Sequence, residues 1–381
     1  MSNRRVLLIC YYFPPLGGAG VSRPLALFKH LSELGWDCHI LTVKSVAYRA
    51  YEPELLEGFD NGKIYRAGSF DPQRLMYYFG LRRVKASTIS NTKAVSDRFF
   101  PDSKVGWVRP AIHLGRNLLE NRKYNAVIST SPPISSHLVA RKLSREFSVP
   151  WIADFRDYWT AYRVEDLYTS RPRRMKRGQK LLTSIKNEAD YITAINESIG
   201  EYVGASDIIY NSFDRNLAEL WSLPKSDKTY VIGVLGTLND ICPIRHLLRI
   251  LTALRTAHYD LFDRVKVIQV GSYEKDWLLP QLEEFNLTDK FDLFGFQKRE
   301  ETIKLLSRSS LLYVGLPSVK EKGFSTGRIY TMLSSGRPIL AAVPPDGEIA
   351  RLIALTGNGH CFFDDTEDTA VSYVVKQIQL F

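Results

Sequence analysis

The sequence has only four cysteines, Cys10, Cys38, Cys242 and Cys361, and they stand far apart. No two have metal-ligand spacing and most sit inside apolar runs. That excludes a disulfide framework or a zinc module and fits reduced core thiols of a cytoplasmic protein. No stretch reaches the ~18 uninterrupted apolar residues of a membrane span. Residues 1–15 begin with basic residues and an apolar run, but Pro14 and Pro15 break the run early. No small-residue cleavage site follows, so this is not read as a signal peptide. No Asp-x-Asp pair sits at a strand end to hold a divalent metal, and Asp364-Asp365 reads as a solvated turn. No Ser/His/Asp or Cys/His nucleophile arrangement stands out. Neither a metal nor a cofactor is expected.

Acidic residues are the minority. The formal net charge is +10, which implies an acidic partner: nucleic acid, an anionic membrane surface or a phosphorylated substrate. The charge is clustered. Arg171, Arg173, Arg174, Lys176, Arg177 and Lys180 form one block, and Arg82, Arg83 and Lys85 follow the aromatic run 76–79. Each block reads as a solvated face or as a patch for the inner face of a membrane. Nucleic acid is not expected, because aromatics are not interleaved with basic residues on any recognisable module.

What the chain does have is regular alternation. Its 381 residues, 45% hydrophobic and 24% charged, point to two domains of ordinary globular composition. An apolar strand at 5–10 runs into Tyr-Tyr-Phe-Pro-Pro-Leu-Gly-Gly-Ala-Gly, then a helix at 22–34 and a strand at 36–43, which makes a right-handed βαβ unit. Gly17, Gly18 and Gly20 do not form the dinucleotide fingerprint, and Lys44 stands where a ribose-binding acid would be. Adjacent glycines after a first parallel strand still mark a place where a ligand can touch backbone. Residues 70–107 read as an irregular, substrate-facing excursion. Strands at 125–130 and 150–155 then end in polar joints, where open α/β sheets bind ligands. The first joint is 129–133 with His137 just inside the next helix. The second is 153–159, where Asp154 and Asp157 flank Arg156. These carboxylates are candidate catalytic or acceptor-binding groups, or a loop scaffold paired with Arg156. Strands at 191–195 and 207–210 complete this half. Domains are placed at 1–210 and 229–381, joined by the polar linker 211–228.

The second domain repeats the pattern, with strands at 230–235, 265–270, 291–294, 311–314, 339–343 and 360–363. Gly236 and Thr237 occupy the corner that the glycine loop holds in the first domain. The fold class is therefore α/β, two doubly wound Rossmann-like domains facing across a cleft. The stretch Phe-Ser-Thr-Gly-Arg at 324–328 is the strongest anion signal. Ser325 and Thr326 suit helix caps, Gly327 admits a ligand, and Arg328 falls in the first turn.

Together YYFPPLGGAGVSRPLALFKHLSELGWDCHILTVK, STSPPISSHLVARKL with PWIADFRDYW, residues 209–214 and GRIYTMLSSGRPILA resemble the glycosyltransferases of family 4 over essentially the whole chain. Within that family the chain looks like the branch that builds bacterial surface polysaccharides. The resemblance implies a GT-B fold, a nucleotide-diphosphate-sugar donor on the second domain, and a glycan or lipid-linked acceptor on the first. It also implies metal independence and retention of configuration. It places Gly17, Gly18, Gly236, Thr237, Ser325, Thr326, Arg328 and Thr331 around the donor, and His137, Asp154 and Asp157 on the acceptor side. Thr331 replaces the family's ribose-binding glutamate and Thr237 its arginine. The 242–243 region replaces its lysine, with Arg245 a nearby substitute. An epimerase of the same fold and a non-catalytic binding subunit remain the alternatives.

Overall fold

A computed structural model describes residues 4–48, 51–80, 99–159, 172–222, 229–239, 243–316, 323–363 and 366–381. The basic cluster 82–85, Arg171, Cys242 and Asp364-Asp365 lie outside the described residues. The chain divides into two units, Met1–Asn211 and Ser212–Phe381.

The first unit is built on a seven-stranded sheet. Its strands are β1 (Arg5–Ile9), β2 (Asp37–Val43), β3 (Ile64–Ala67), β4 (Ala126–Ser131), β5 (Trp151–Phe155), β6 (Tyr191–Ala194) and β7 (Asp207–Ile208). They run in the order β3-β2-β1-β4-β5-β6-β7, every neighbouring pair parallel. Strands such as Val6-Leu7-Leu8-Ile9 are buried on both faces because helices cover both sides. Strand order reverses between β1 and β4, which leaves a crevice at their carboxyl ends. The helix Ala19–Glu33 after β1 begins three residues before the expected start, since Gly18 at φ 90° turns the chain directly into it. Strand β3 went unread in the sequence: it has four residues and only Ala67 is fully buried. The excursion 70–107 contains a helix, Pro72–Tyr78, capped by the Asp71 side chain. The basic block 173–180 belongs to the helix Pro172–Glu188. Cys10 and Cys38 are buried in the core, where burial pushes both thiols above their usual range.

The second unit holds six parallel strands: β8 (Tyr230–Leu235), β9 (Val265–Val270), β10 (Phe291–Leu293), β11 (Leu311–Gly315), β12 (Ile339–Ala342) and β13 (Gly359–Phe362). The order is β10-β9-β8-β11-β12-β13, with the reversal between β8 and β11. The stretch after Asn211 packs on this unit. Helix Arg215–Glu219 and the turn Leu220–Ser222 bring Trp221 into its core. Arg337 fastens them there. Its buried guanidinium lies 5.0 Å from the Trp221 ring and donates to the Trp221, Ser307 and Ser309 carbonyls. Arg337→Ala leaves three carbonyls without their donor, and we expect a loss of about 3 kcal/mol in unfolding free energy by urea titration. A change within ~0.5 kcal/mol would show that Trp221 stays seated without it.

Candidate functional site

In the first unit, the residues singled out by sequence fall at the carboxyl ends of β1, β4 and β5, but they do not converge on one point. Side chains along a strand alternate between faces, and Ser129 and Thr130 therefore look opposite ways from β4. On one face Thr130, Asp154 and Thr193 stand in register across β4, β5 and β6. Both threonine hydroxyls donate to the Asp154 carboxylate, at 2.7 and 2.9 Å. Arg23, from the helix after the glycine loop, closes the same carboxylate with two bonds of 2.6 and 2.9 Å. Burial alone would raise the Asp154 carboxyl. The Arg23 charge and hydrogen bonds, with the two threonines, outweigh it and hold the group at about 2. Arg23 also donates to the Ile209 carbonyl and the Asn211 side chain, where the chain leaves this unit.

The opposite face carries His137, fully buried in the first turn of helix Ser135–Phe147. Its Nδ1 meets Ser129 Oγ at 2.7 Å, the same oxygen accepts from Trp151 Nε1 at 2.7 Å, and Phe155 packs on the ring. Nε2 is buried with no partner among the described residues. Burial pushes the imidazole down to about 3, the Asp154 charge opposing and Arg156 adding to the effect. His137 and Asp154 are thus separated by the sheet.

Arg156 does not pair with Asp154 as the scaffold reading expected. Its guanidinium donates to the carbonyls of Ser131, Pro132 and Gly20, tying the glycine loop to the β4 joint. Asp157, two residues past β5, is classed as exposed. Surrounding protein raises its carboxyl and the Arg156 charge only partly offsets this.

Gly17 and Gly18 have a partner that the sequence did not reveal. Gly18 N–H donates to Glu52 Oε1 at 2.9 Å, and a Cβ on Gly17 would lie 2.4 Å from that oxygen. No local pattern marks Glu52; only the loop packing brings it there. Asp102 does the same at the other helix start, accepting from Ser135 N and Oγ.

In the second unit the structure does gather the predicted residues. Arg328 begins helix Arg328–Leu333 and its Nη1 donates to the Leu235 carbonyl at the end of β8. It covers Gly236 so closely that a Cβ there would lie 2.7 Å from Nη1. Gly236 has φ 96°, and Gly271 at φ 148° lies against its backbone. Buried Gln269 donates to both glycine carbonyls, at 3.1 and 3.0 Å, and holds the corner. Thr237 follows that corner, half-buried. Ser325 and Thr326 do not cap the helix as expected. Gly327 occupies the cap position in a helical conformation with no side-chain cap, and the Thr326 carbonyl accepts from Ile329 N. Ser325 Oγ is buried with no partner among the described residues. Thr331 lies half-buried one turn along from Arg328. Arg245 pairs with Glu284 and lies 5.2 Å from the Phe285 ring. Among the described residues no group of three His, Cys, Asp or Glu side chains could hold a metal ion.

Two doubly wound parallel units, each with a glycine corner at its reversal of strand order, define the class: this is the GT-B fold of glycosyltransferases. No family model matches the chain, and no curated protein matches it in sequence. Solved structures match it in fold. Sucrose-phosphate synthase from Thermosynechococcus elongatus has a TM-score of 0.66 at 13% identity, covering 99% of this chain and 90% of its own. HepE of Anabaena in complex with UDP has 0.62 at 14%, covering 99% and 94%. The catalytic domain of starch synthase IV from Arabidopsis thaliana, bound to ADP and acarbose, has 0.61 at 13%, covering 100% and 94%.

The buried imidazole makes a pH prediction. Between its ordinary value of 6.5 and about 3, the unfolded chain binds a proton that the folded chain refuses, so stability falls as pH falls through that window. His137→Asn should flatten the acid slope by up to about 1.4 kcal/mol per pH unit in denaturant titrations. Identical slopes would mean that His137 titrates normally.

Proposed function

We propose that this protein transfers a sugar from a nucleotide diphosphate sugar to a lipid-linked glycan acceptor, as a retaining, metal-independent glycosyltransferase of family 4 in surface-polysaccharide synthesis. The observation that carries the reading is Arg328 seated over Gly236 at the end of β8, in a chain with the GT-B fold. A guanidinium at a glycine corner suits a diphosphate. The first turns of helices Arg328–Leu333 and Arg245–Ala257 carry no acidic residue to oppose it. In the reaction, the bond from the anomeric carbon to the terminal phosphate oxygen breaks and the acceptor oxygen bonds to that carbon from the same face. The acceptor proton leaves with the phosphate. Arg328 stabilises the charge gathering on the leaving diphosphate. Asp157, exposed beside the β5 joint, is the acceptor-side carboxylate best placed to meet a sugar hydroxyl, while Asp154 and His137 shape the unit around it.

Arg328→Ala should weaken nucleotide-sugar binding and turnover by about 10- to 100-fold, read by calorimetry and by product mass spectrometry. Binding and turnover both intact would remove Arg328 from the site. Sugar product formed from donor alone would instead identify an epimerase. Thr331, a hydroxyl where the family has a carboxylate, favours a second reading as a binding subunit, which would bind nucleotide without turnover.

The same proposal includes docking on an anionic membrane. Among the described residues no helix is long and apolar enough to cross one. Tyr77, Tyr78 and Phe79 are exposed at 47%, 60% and 73%, and Phe70 at 67%. The segment 99–106 links them to the basic helix. Phe70 N donates to the Gly106 carbonyl, Arg174 donates to the Phe99 carbonyl, and Arg177 lies 4.1 Å from the Phe100 ring. Arg173, Lys176, Arg177 and Lys180 are exposed on that helix. Aromatic side chains beside lysine and arginine suit an anionic lipid interface. The protein should co-sediment with vesicles containing phosphatidylglycerol at low salt and be released at about 0.5 M salt. Arg173→Glu with Lys176→Glu and Lys180→Glu should abolish this; no co-sedimentation at low salt would sink the membrane role.

A further inference from the structure

The basic helix of the first unit carries cations that the protein leaves unpaired. Elsewhere in this unit surface arginines have carboxylate partners: Arg116 pairs with Glu146, and Arg141 and Arg145 with Glu188. Helix Pro172–Glu188 has no acidic residue before Glu188, and its exposed Arg173, Lys176, Arg177 and Lys180 make no ion pair among the described residues. Arg177 differs from the other three. Its guanidinium lies 4.1 Å from the Phe100 ring, which orders it, while its N–H groups find no acceptor among the described residues. Phe100 is itself held in place. Arg174 donates to the Phe99 carbonyl and lies 6.0 Å from the Phe100 ring, and two residues further on Asp102 accepts from Ser135 N and Oγ. The Phe100 ring is also 6.2 Å from that of Trp159, which packs half-buried on the core. Trp159 follows exposed Asp157 by two residues. A carboxylate, an indole, a phenyl ring and a free guanidinium thus succeed one another along one stretch of this unit.

We propose that Arg177, Phe100 and Trp159 form a subsite for a sugar linked through a diphosphate to a lipid, with the sugar on the Trp159 ring and the diphosphate on Arg177. That the ligand carries a sugar rests on the transferase reading above; the anion and the apolar face follow from the surface itself. A guanidinium takes a phosphate through paired charge-assisted bonds, and a ring contact that fixes Arg177 lowers the cost of ordering it. The three neighbouring cations add attraction for a doubly charged group without fixing its geometry. A pyranose has a face of C–H groups that covers aromatic surface, and its hydroxyls lie at the edge, where Asp157 can accept from them. The order of groups on the ligand, hydroxyl, sugar face and diphosphate, matches the order on the protein. Phosphatidylglycerol has the charge without the sugar face, so it engages the outer cations and leaves Trp159 idle.

Three probes separate the parts of such a ligand: glucose joined through a diphosphate to a farnesyl chain, farnesyl diphosphate, and octyl glucoside. Calorimetry on the full chain, below the concentration at which the probes form micelles, compares the native protein with Arg177→Gln, Trp159→Leu and Arg173→Gln. Arg177 and Arg173 are exposed, so both variants should fold, and a thermal melt checks this for all three. Arg177→Gln should weaken the two diphosphates about 10-fold and leave octyl glucoside unchanged. Trp159→Leu should weaken the two glucose-bearing probes about 5-fold and leave farnesyl diphosphate unchanged. Arg173→Gln should change none of them by more than about 2-fold. Equal losses from Arg177→Gln and Arg173→Gln would reduce the site to diffuse surface charge and overturn the proposal, as would a native protein that binds the sugar-linked diphosphate no better than farnesyl diphosphate. If both predicted losses appear but no nucleotide sugar is turned over, the subsite stands and the transferase reading fails. If nucleotide sugar is turned over and neither variant weakens any probe, the subsite alone is lost.

Discussion

One buried ion pair, Arg23 with Asp154, ties distant parts of the first unit together. An arginine and a carboxylate removed from water cost free energy unless every lone pair and N–H finds a partner. Asp154 meets that condition through two bonds from Arg23 and one each from Thr130 and Thr193. Its partners come from β4, β6 and the helix after the glycine loop, and Arg23 reaches on to Ile209 and Asn211 at the unit's exit. A single charge pair therefore joins the helix after the glycine loop, the centre of the sheet and the end of the unit. Arg156 makes a parallel connection using carbonyls alone, between Gly20 and the Ser131-Pro132 joint.

The chirality of parallel crossovers then separates groups that lie close in sequence. Right-handed connections place the helices after β1 and β4 on opposite faces of the sheet. Ser129 and Thr130, adjacent in the chain, consequently serve two unconnected networks: the neutral His137 cluster and the charged Asp154 cluster. The two units also place different groups at these corners. In the first, Glu52 and Asp102 already sit at the starts of the two helices that follow β1 and β4. In the second, the corner after β8 is covered by an arginine.

Much of this architecture was legible in the chain. Alternating apolar runs and glycine stops located nearly every strand to within a residue or two, because buried parallel strands need continuous Val, Ile and Leu and their helices need a break at the end. The short β3 escaped for want of such a run. Gly236 and Arg328 were both marked by sequence, and they meet in space because β8 lies beside β11 at the strand-order reversal. The helix cap was misread, since Gly327 takes the cap position in a helical conformation and no side chain caps the helix.

The chain by itself determined the α/β alternation, the doubling of the pattern and the places where backbone is open to a ligand, since periodicity and glycine are local properties. Only the tertiary structure decided which polar groups face one another. It moved Asp154 from Arg156 to Arg23, set His137 behind the sheet, and brought Glu52 onto Gly18 from 34 residues away. Charge pairing and hydrogen bonding depend on distances of about 3 Å, and such distances between remote residues are set by how the strands and helices pack.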